Sequence, residues 1–249
     1  MKTLIIAAAM AVAASSQAIV LFNNADGRGL FEPLGIGTEV RPAGGFYSRL
    51  NTPPGNVLGF SSSGAFRLAD DFSIADAGWQ IDSASTFVYL TNATAPTVTG
   101  GTFDIRDNTT TPGTPGLSVA SGTFSSVAFT DIYRIGSTVN DARRVQRVEV
   151  NFSSVVLLTG TYWLDFNFVG GSFTPPLTAP AANVTPGSTN AKQWNGAAWV
   201  NAIDTGTTGL ENFPKDMPFL IHGSVVPEPG TFIAIGIGLA GLALARRRK

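Results

Sequence analysis

An uncharged run of 16 residues, Gly230 to Ala245, follows Pro227-Glu228-Pro229 and ends on four cations, Arg246, Arg247, Arg248 and Lys249. At about 1.5 Å rise per residue the run makes a helix of roughly 24 Å. The hydrocarbon core of a bilayer is about 30 Å thick, so a helix over about 231–245 is a minimal membrane span. The basic tail 246–249 stays on the cytoplasmic side by the positive-inside rule. Pro227 and Pro229 cannot both lie inside a helix, so the chain ahead of Gly230 is extended and open to a protease. Gly236 with Ala240 and Gly241 with Ala245 have small-xxx-small spacing, which the abundance of Gly and Ala in membrane spans is enough to explain.

Taken in order, the Pro-Glu-Pro tripeptide, the single apolar span and the arginine cluster make residues 226–249 resemble the PEP-CTERM sorting signal of Gram-negative bacteria. That resemblance covers the final 24 residues and concerns an address. It implies recognition at Pro227, Glu228 and Pro229 by an exosortase-type processing enzyme. The apolar span would hold the chain briefly in the inner membrane, and Arg246–Lys249 would orient it. Release or transfer to the cell surface or to extracellular polysaccharide would follow.

The opposite end carries a matching export signal. Lys2 precedes an apolar run from Leu4 to Ala14, and small residues stand at Ser16 and Ala18. This is the pattern of a secretory signal peptide, residues 1–18, cleaved after Ala18 and handled by the Sec export machinery. Residues 19–225 are then an extracytoplasmic domain, tethered by the tail until it is processed.

Composition narrows what that domain can do. The chain has 16 Lys+Arg and 17 Asp+Glu; setting aside Lys2 and the four tail cations leaves 11 basic residues, and setting aside Glu228 leaves 16 acidic ones. A body near −5 argues against nucleic acid, because phosphate binding requires a basic patch. There is no cysteine, so an exported domain must be held by its core alone, and thiolate catalysis and zinc-thiolate sites are excluded.

Short runs rich in Val, Ile, Phe, Thr and Tyr recur between Gly, Pro, Asn and Ser clusters, the pattern of strands and turns. Strands are expected at Ile19–Phe22, around Phe46 and Tyr47, and at Arg67–Ile74, Gln80–Leu90, Gly101–Arg106, Leu117–Phe124, Thr130–Ile135, Val145–Phe152 and Gly160–Val169. A last group comprises Ala191–Trp194, Ala197–Val200 and Met217–Val226. In Gly160–Val169, Tyr162, Leu164, Phe166 and Phe168 alternate with Trp163, Asp165 and Asn167, so one face turns inward. The fold expected is all-β: an antiparallel two-sheet, jelly-roll-like sandwich in one domain, with a signal peptide before it and one transmembrane helix after it. Ala69-Asp-Asp-Phe72, Gly78-Trp79, Gly160-Thr-Tyr-Trp-Leu-Asp165, Gln193-Trp194 and Pro218-Phe219 resemble ectodomains that often precede such tails, which are β-sandwiches mostly without an assigned activity.

Candidate chemistry is sparse. His222 is the only histidine, and no Gly-x-Ser-x-Gly elbow accompanies it, so a structural or surface role is expected over a Ser-His-Asp site. One histidine without cysteine also disfavours transition metals. Asp70/Asp71, Asp104/Asp107 and Asp165 could pair for glycoside hydrolysis, but adjacent strand positions send Asp70 and Asp71 to opposite faces. Asp26, Asp70, Asp71 and Asp107 are weak calcium candidates; turn-forming or solvated carboxylates are the plainer reading, and no cofactor is expected. In Gln193-Trp-Asn-Gly-Ala-Ala-Trp199, Asn-Gly signals a two-residue hairpin with Trp194 opposite Ala197 and Lys192 opposite Trp199. Both indoles then share a face. Exposed, they would form a flat sugar-stacking platform with Gln193 and Asn195 as donors; buried, they are core.

The function expected is therefore a non-enzymatic surface or matrix protein, associated with exopolysaccharide or biofilm. The alternatives are a carbohydrate-binding module acting through Trp194 and Trp199, with or without calcium, and a carboxylate-based glycoside hydrolase.

Overall fold

Alternating apolar positions resolve into fourteen strands among the described residues, which are 18–24, 39–49, 59–75, 77–135, 141–171, 173–175, 190–203 and 215–226 of a computed structural model. They are β1 (Ile19–Asn23), β2 (Glu39–Val40), β3 (Phe46–Arg49), β4 (Phe60–Ser61), β5 (Arg67–Ile74), β6 (Trp79–Tyr89), β7 (Gly100–Asp107) and β8 (Ser118–Ile135). Then come β9 (Arg144–Leu157), β10 (Gly160–Val169), β11 (Phe173–Thr174), β12 (Lys192–Trp194), β13 (Trp199–Asn201) and β14 (Phe219–Val225). The described part is all-β. The signal peptide up to Gln17, the sorting tripeptide, the apolar run, the basic tail and Asp26 lie outside the described residues. Among the described residues no helix is long and apolar enough to cross a membrane.

Hydrogen bonding runs in the order β1-β14-β6-β9-β8-β7-β10-β5-β12-β13. The strand pairings are antiparallel except where β3 lies parallel to β8. β8 is the hinge of this path. Ser118–Gly122 pairs with β7, and Thr123–Tyr133 pairs with β9. The two strands expected at Leu117–Phe124 and Thr130–Ile135 are thus one strand of 18 residues. Register shifts at Phe124/Ser126 and Phe129/Tyr133 bend it, and bulges can redirect a strand without ending it.

The main core is made by both parts of the path. Leu68, Phe72 and Ile74 of β5, Phe103 and Ile105 of β7, and Leu164, Phe166 and Phe168 of β10 share one cluster with Ile81, Ala84 and Val88 of β6. Val148, Val150 and Phe152 of β9, with Phe219 and Ile221 of β14, complete it. Phe72 is central: its ring lies 5.9 to 6.2 Å from those of Phe22, Trp79, Tyr162 and Phe219. Each fully buried aromatic or aliphatic side chain contributes about 1.5–3 kcal/mol, which is how a domain without disulfides holds together. β6 is buried on both faces along Ala84–Tyr89, because Phe87 points away from Val88 into a second cluster with Ile132, Val145 and Leu220, against which Phe46 packs.

Candidate functional site

Three places in the fold gather the residues singled out by sequence: the end where the termini meet, the β12–β13 hairpin, and the face of β5, β10 and β7 turned away from the main core.

At the first, Ala18 is exposed immediately before β1, and β1 pairs along β14 with Ile19 opposite Gly223. β14 ends at Val225, and Val226 N donates to Gly78 O at 2.7 Å. The expected signal-cleavage point and the start of the sorting segment therefore leave the body from neighbouring strands at one end. A bulge at His222/Gly223 lets β14 keep its pairing with β6. Glycine is required there: a Cβ on Gly223 would lie 2.0 Å from Gln80 O.

The hairpin differs from the Asn-Gly expectation. Trp194 lies directly opposite Trp199, Gln193 opposite Val200 and Lys192 opposite Asn201. The turn holds four residues, with Asn195 N donating to Ala198 O at 3.2 Å. Asn195 Oδ1 accepts from Ala197 N and Ala198 N, both at 3.0 Å, and this side-chain cap outcompetes the shorter turn. The indoles do share a face, as expected, but their ring centroids are 5.7 Å apart at 64°, edge to face rather than a flat platform. Both are half-buried. Gln193 is engaged elsewhere, donating from Nε2 to Ser61 O at 2.9 Å.

Beside them lies a closed charge network. Trp194 pairs with Arg67 of β5, whose guanidinium reaches Asp165 of β10, the register partner of Ala69. Arg67 Nε donates to both carboxylate oxygens of Asp165, at 2.8 and 3.0 Å, and its Nη2 to Asp104 Oδ2 at 2.9 Å. Arg106 Nε donates to Asp165 Oδ2 at 2.5 Å. Ser118 and Ser121 donate their hydroxyls to Asp104 Oδ1 at 3.0 and 2.7 Å. Asp165 is fully buried, and burial raises its carboxyl above the ordinary range against the pull of Arg67 and Arg106. The neighbouring Trp163 is also fully buried, with Nε1 donating to Asn108 Oδ1 at 3.0 Å, so the loop after β7 closes over this face. Asp104 and Asp165 do come together, but two guanidinium groups stand between them.

Asp70 and Asp71 diverge to opposite faces. Asp70 is buried and accepts from Asn24 Nδ2, Met217 N and Asp71 N at 2.9, 2.8 and 3.0 Å. Burial first, and the charge of Asp216 second, hold its carboxyl well above the usual value. Burial likewise pushes Asp216 to about 6, opposed by the Asn190 backbone N–H. Asp107 is a half-buried turn former: Thr109 Oγ1 and Leu117 N donate to it at 2.8 and 3.0 Å, and the Thr109 hydroxyl lowers its pKa. β10 separates it from the strand that carries Asp70 and Asp71. Among the described residues no group of three or more His, Asp or Glu is placed to hold a metal ion.

His222 is half-buried, and its pKa is lowered by burial. Its Nε2 lies 3.1 Å from Ser85 Oγ, which donates to Glu149 Oε2 at 2.8 Å and accepts from Arg147 Nη2 at 2.9 Å. The hydroxyl stands between histidine and acid, whereas a serine nucleophile needs the histidine in the middle. Ser85 is also fully buried.

Sequence reasoning missed Arg67, Arg106, Asn24 and Asp216. Period 2 puts Arg67 on the same face as Ala69 and Asp71, and Arg106 on the same face as Asp104, but only pairing across strands shows which acid each one meets.

No curated protein matches the chain. Residues 225–249 match the family model of the PEP-CTERM protein-sorting motif, so the chain ends in the signal of an exported protein that is sorted by exosortase.

Proposed function

We propose that the body is a non-enzymatic surface or matrix protein that reaches the cell exterior through exosortase processing at Pro227-Glu228-Pro229 and associates with extracellular polysaccharide. The sorting motif at residues 225–249 carries this reading. The body's described chemistry supports it: the clustered acids are spent on Arg67, Arg106 and backbone donors, and Ser85 sits between His222 and Glu149. We read the path through β8 as a two-layer, jelly-roll-like sandwich, because strands from both of its parts share one core. In the precursor, residues 231–245 span the inner membrane, Arg246–Lys249 stay in the cytoplasm, and the Sec machinery delivers the body through the signal peptide cleaved after Ala18.

Glu228→Ala tests the processing step. In cells that carry an exosortase, the parent chain matures to a shorter product, and the variant accumulates in the membrane fraction as the uncut form. Equal maturation of the two would sink the assignment of Glu228.

A second reading, carbohydrate binding, draws on one observation: the edge-to-face indole pair of Trp194 and Trp199 keeps part of its surface in solvent on an edge hairpin.

A further inference from the structure

Five large apolar side chains exposed among the described residues collect where the chain leaves the body. Ile19, Val20, Val156, Leu158 and Val225 are between 50% and 69% exposed. Ile19 and Val20 stand on β1, Val225 on β14, Val156 on β9 and Leu158 just past it; β6, which contributes none of the five, lies between β14 and β9 in the order β1-β14-β6-β9. The register puts them at one end: Ile19 faces Gly223, Val225 faces Trp79, Trp79 faces Leu157, and Val156 faces Gln80. Three interstrand steps at about 4.8 Å make this apolar rim roughly 14 Å wide. No charged residue lies within two positions of any of the five in the sequence. Among described groups nearby, Asp82 is held by Ser154 Oγ at 2.9 Å and Gln80 Nε2 at 3.4 Å.

Chain length says what this rim meets. The hydrogen bond from Val226 to Gly78 holds the backbone to the body up to Val226, and the apolar run begins at Gly230. Four peptide steps reach at most about 14 Å. The headgroup layer on one side of a bilayer is roughly 5–8 Å deep, so this tether keeps the end of the body within roughly 6–9 Å of the headgroup surface. Isolated exposed apolar residues are ordinary, but five at the one end that the tether keeps this close to lipid are placed for contact.

We propose that this rim is a membrane-contact surface: while the tail is uncut, Ile19, Val20, Val156, Leu158 and Val225 rest in the headgroup region of the bilayer. The inference relies on the reading of residues 231–245 as a span. The contact is made by apolar side chains, and the one charge cleavage adds there, the amino group of Ile19, stays among the zwitterionic headgroups, so the contact forms on lipid of no net charge. Cleavage at the sorting tripeptide removes the tether and with it most of the attraction, because side chains this few do not hold a protein on a membrane alone. Signal cleavage after Ala18 leaves the new amino terminus at the same end.

The chain contains no cysteine, so single cysteines report one position each. Leu158→Cys, and Val169→Cys at the far end of β10, are labelled with an environment-sensitive fluorophore in the chain comprising residues 19–249. Each is reconstituted into phosphatidylcholine vesicles with and without brominated lipid. Bromolipid is expected to quench the Leu158 label at least about threefold more than the Val169 label, as for a surface seated at the headgroup boundary. Equal quenching in chains that float with the vesicles overturns the contact while leaving the span intact. Chains that fail to float overturn the span reading and the contact together. A disulfide-linked dimer formed on air oxidation of the unlabelled Leu158→Cys chain, together with an unquenched label on the labelled chain, assigns the rim to a second copy and overturns lipid contact. Thermal melts of both labelled variants that match the parent's establish that neither fold is disturbed.

Discussion

Asp165 Oδ2 sits 2.5 Å from Arg106 Nε and 2.7 Å from Arg67 Nη2, so one fully buried carboxylate holds the guanidinium groups of two different strands. Taking away one partner of a buried pair costs far more than the pair itself contributes, because the remaining charges stay desolvated. Asp165→Ala should lower unfolding free energy by about 3 kcal/mol, the low end of the range because both arginines keep some exposure. Urea unfolding measures this. A fourfold variant with Arg67→Met, Arg106→Met, Asp165→Leu and Asp104→Asn, which leaves no buried carboxylate without its arginines, should recover most of the loss.

Asp70 and Asp216 imply a pH dependence of defined sign. Both bind protons more tightly folded than unfolded, where aspartate titrates near 3.8. Their stabilising contribution is complete below that value and is lost as pH rises, through about 6 for Asp216 and through the raised pKa of Asp70. His222 acts in the opposite sense: its lowered pKa gives stability above its ordinary value of 6.5 that is lost as pH falls. Comparing the parent with Asp216→Asn reads the first effect together with the change at Asp70 that follows from losing the Asp216 charge. The difference between them should change by at most about 3 kcal/mol between pH 4 and pH 7, and by less to the extent that Asp216 touches solvent. Parallel stability curves would contradict the raised carboxyl.

Gly223 is a steric requirement at the rim. A methyl group 2.0 Å from Gln80 O cannot be accommodated without shifting β14 off β6. Gly223→Ala should destabilise the body by about 2 kcal/mol, within the usual cost of overpacking. Amide exchange should rise first in Ser224, Val225 and Val226. Uniform protection would show that the bulge adapts.

Trp194 and Trp199 separate the two functional readings. Loss of an edge-to-face pair costs about 1 kcal/mol beyond the area exposed, so the Trp194→Ala/Trp199→Ala protein should still fold. If the indoles carry polysaccharide contact, affinity electrophoresis shows a loss of retention in the variant that exceeds its change in stability. Retention equal to the parent removes the carbohydrate-binding reading and leaves the sorting-based one untouched.

The sequence alone determined the sorting signal at residues 226–249, which the family model matches over 225–249, the all-β class, and strands such as Arg67–Ile74 and Gly160–Val169 with their matching bounds. These are local properties: a period of two, a turn residue, or a fixed order of proline, apolar run and cations can be read without knowing any neighbour. Tertiary structure decided that β8 runs unbroken between two partners, that Trp194 meets Trp199 instead of Ala197, and that Arg67 and Arg106 close on Asp165. It also brought Ile19 opposite Gly223, setting both ends of the body side by side. Each of these rests on pairing between segments far apart in the chain. Alternation shows which face a side chain takes, but register and strand order, set by packing over the whole core, choose what it touches.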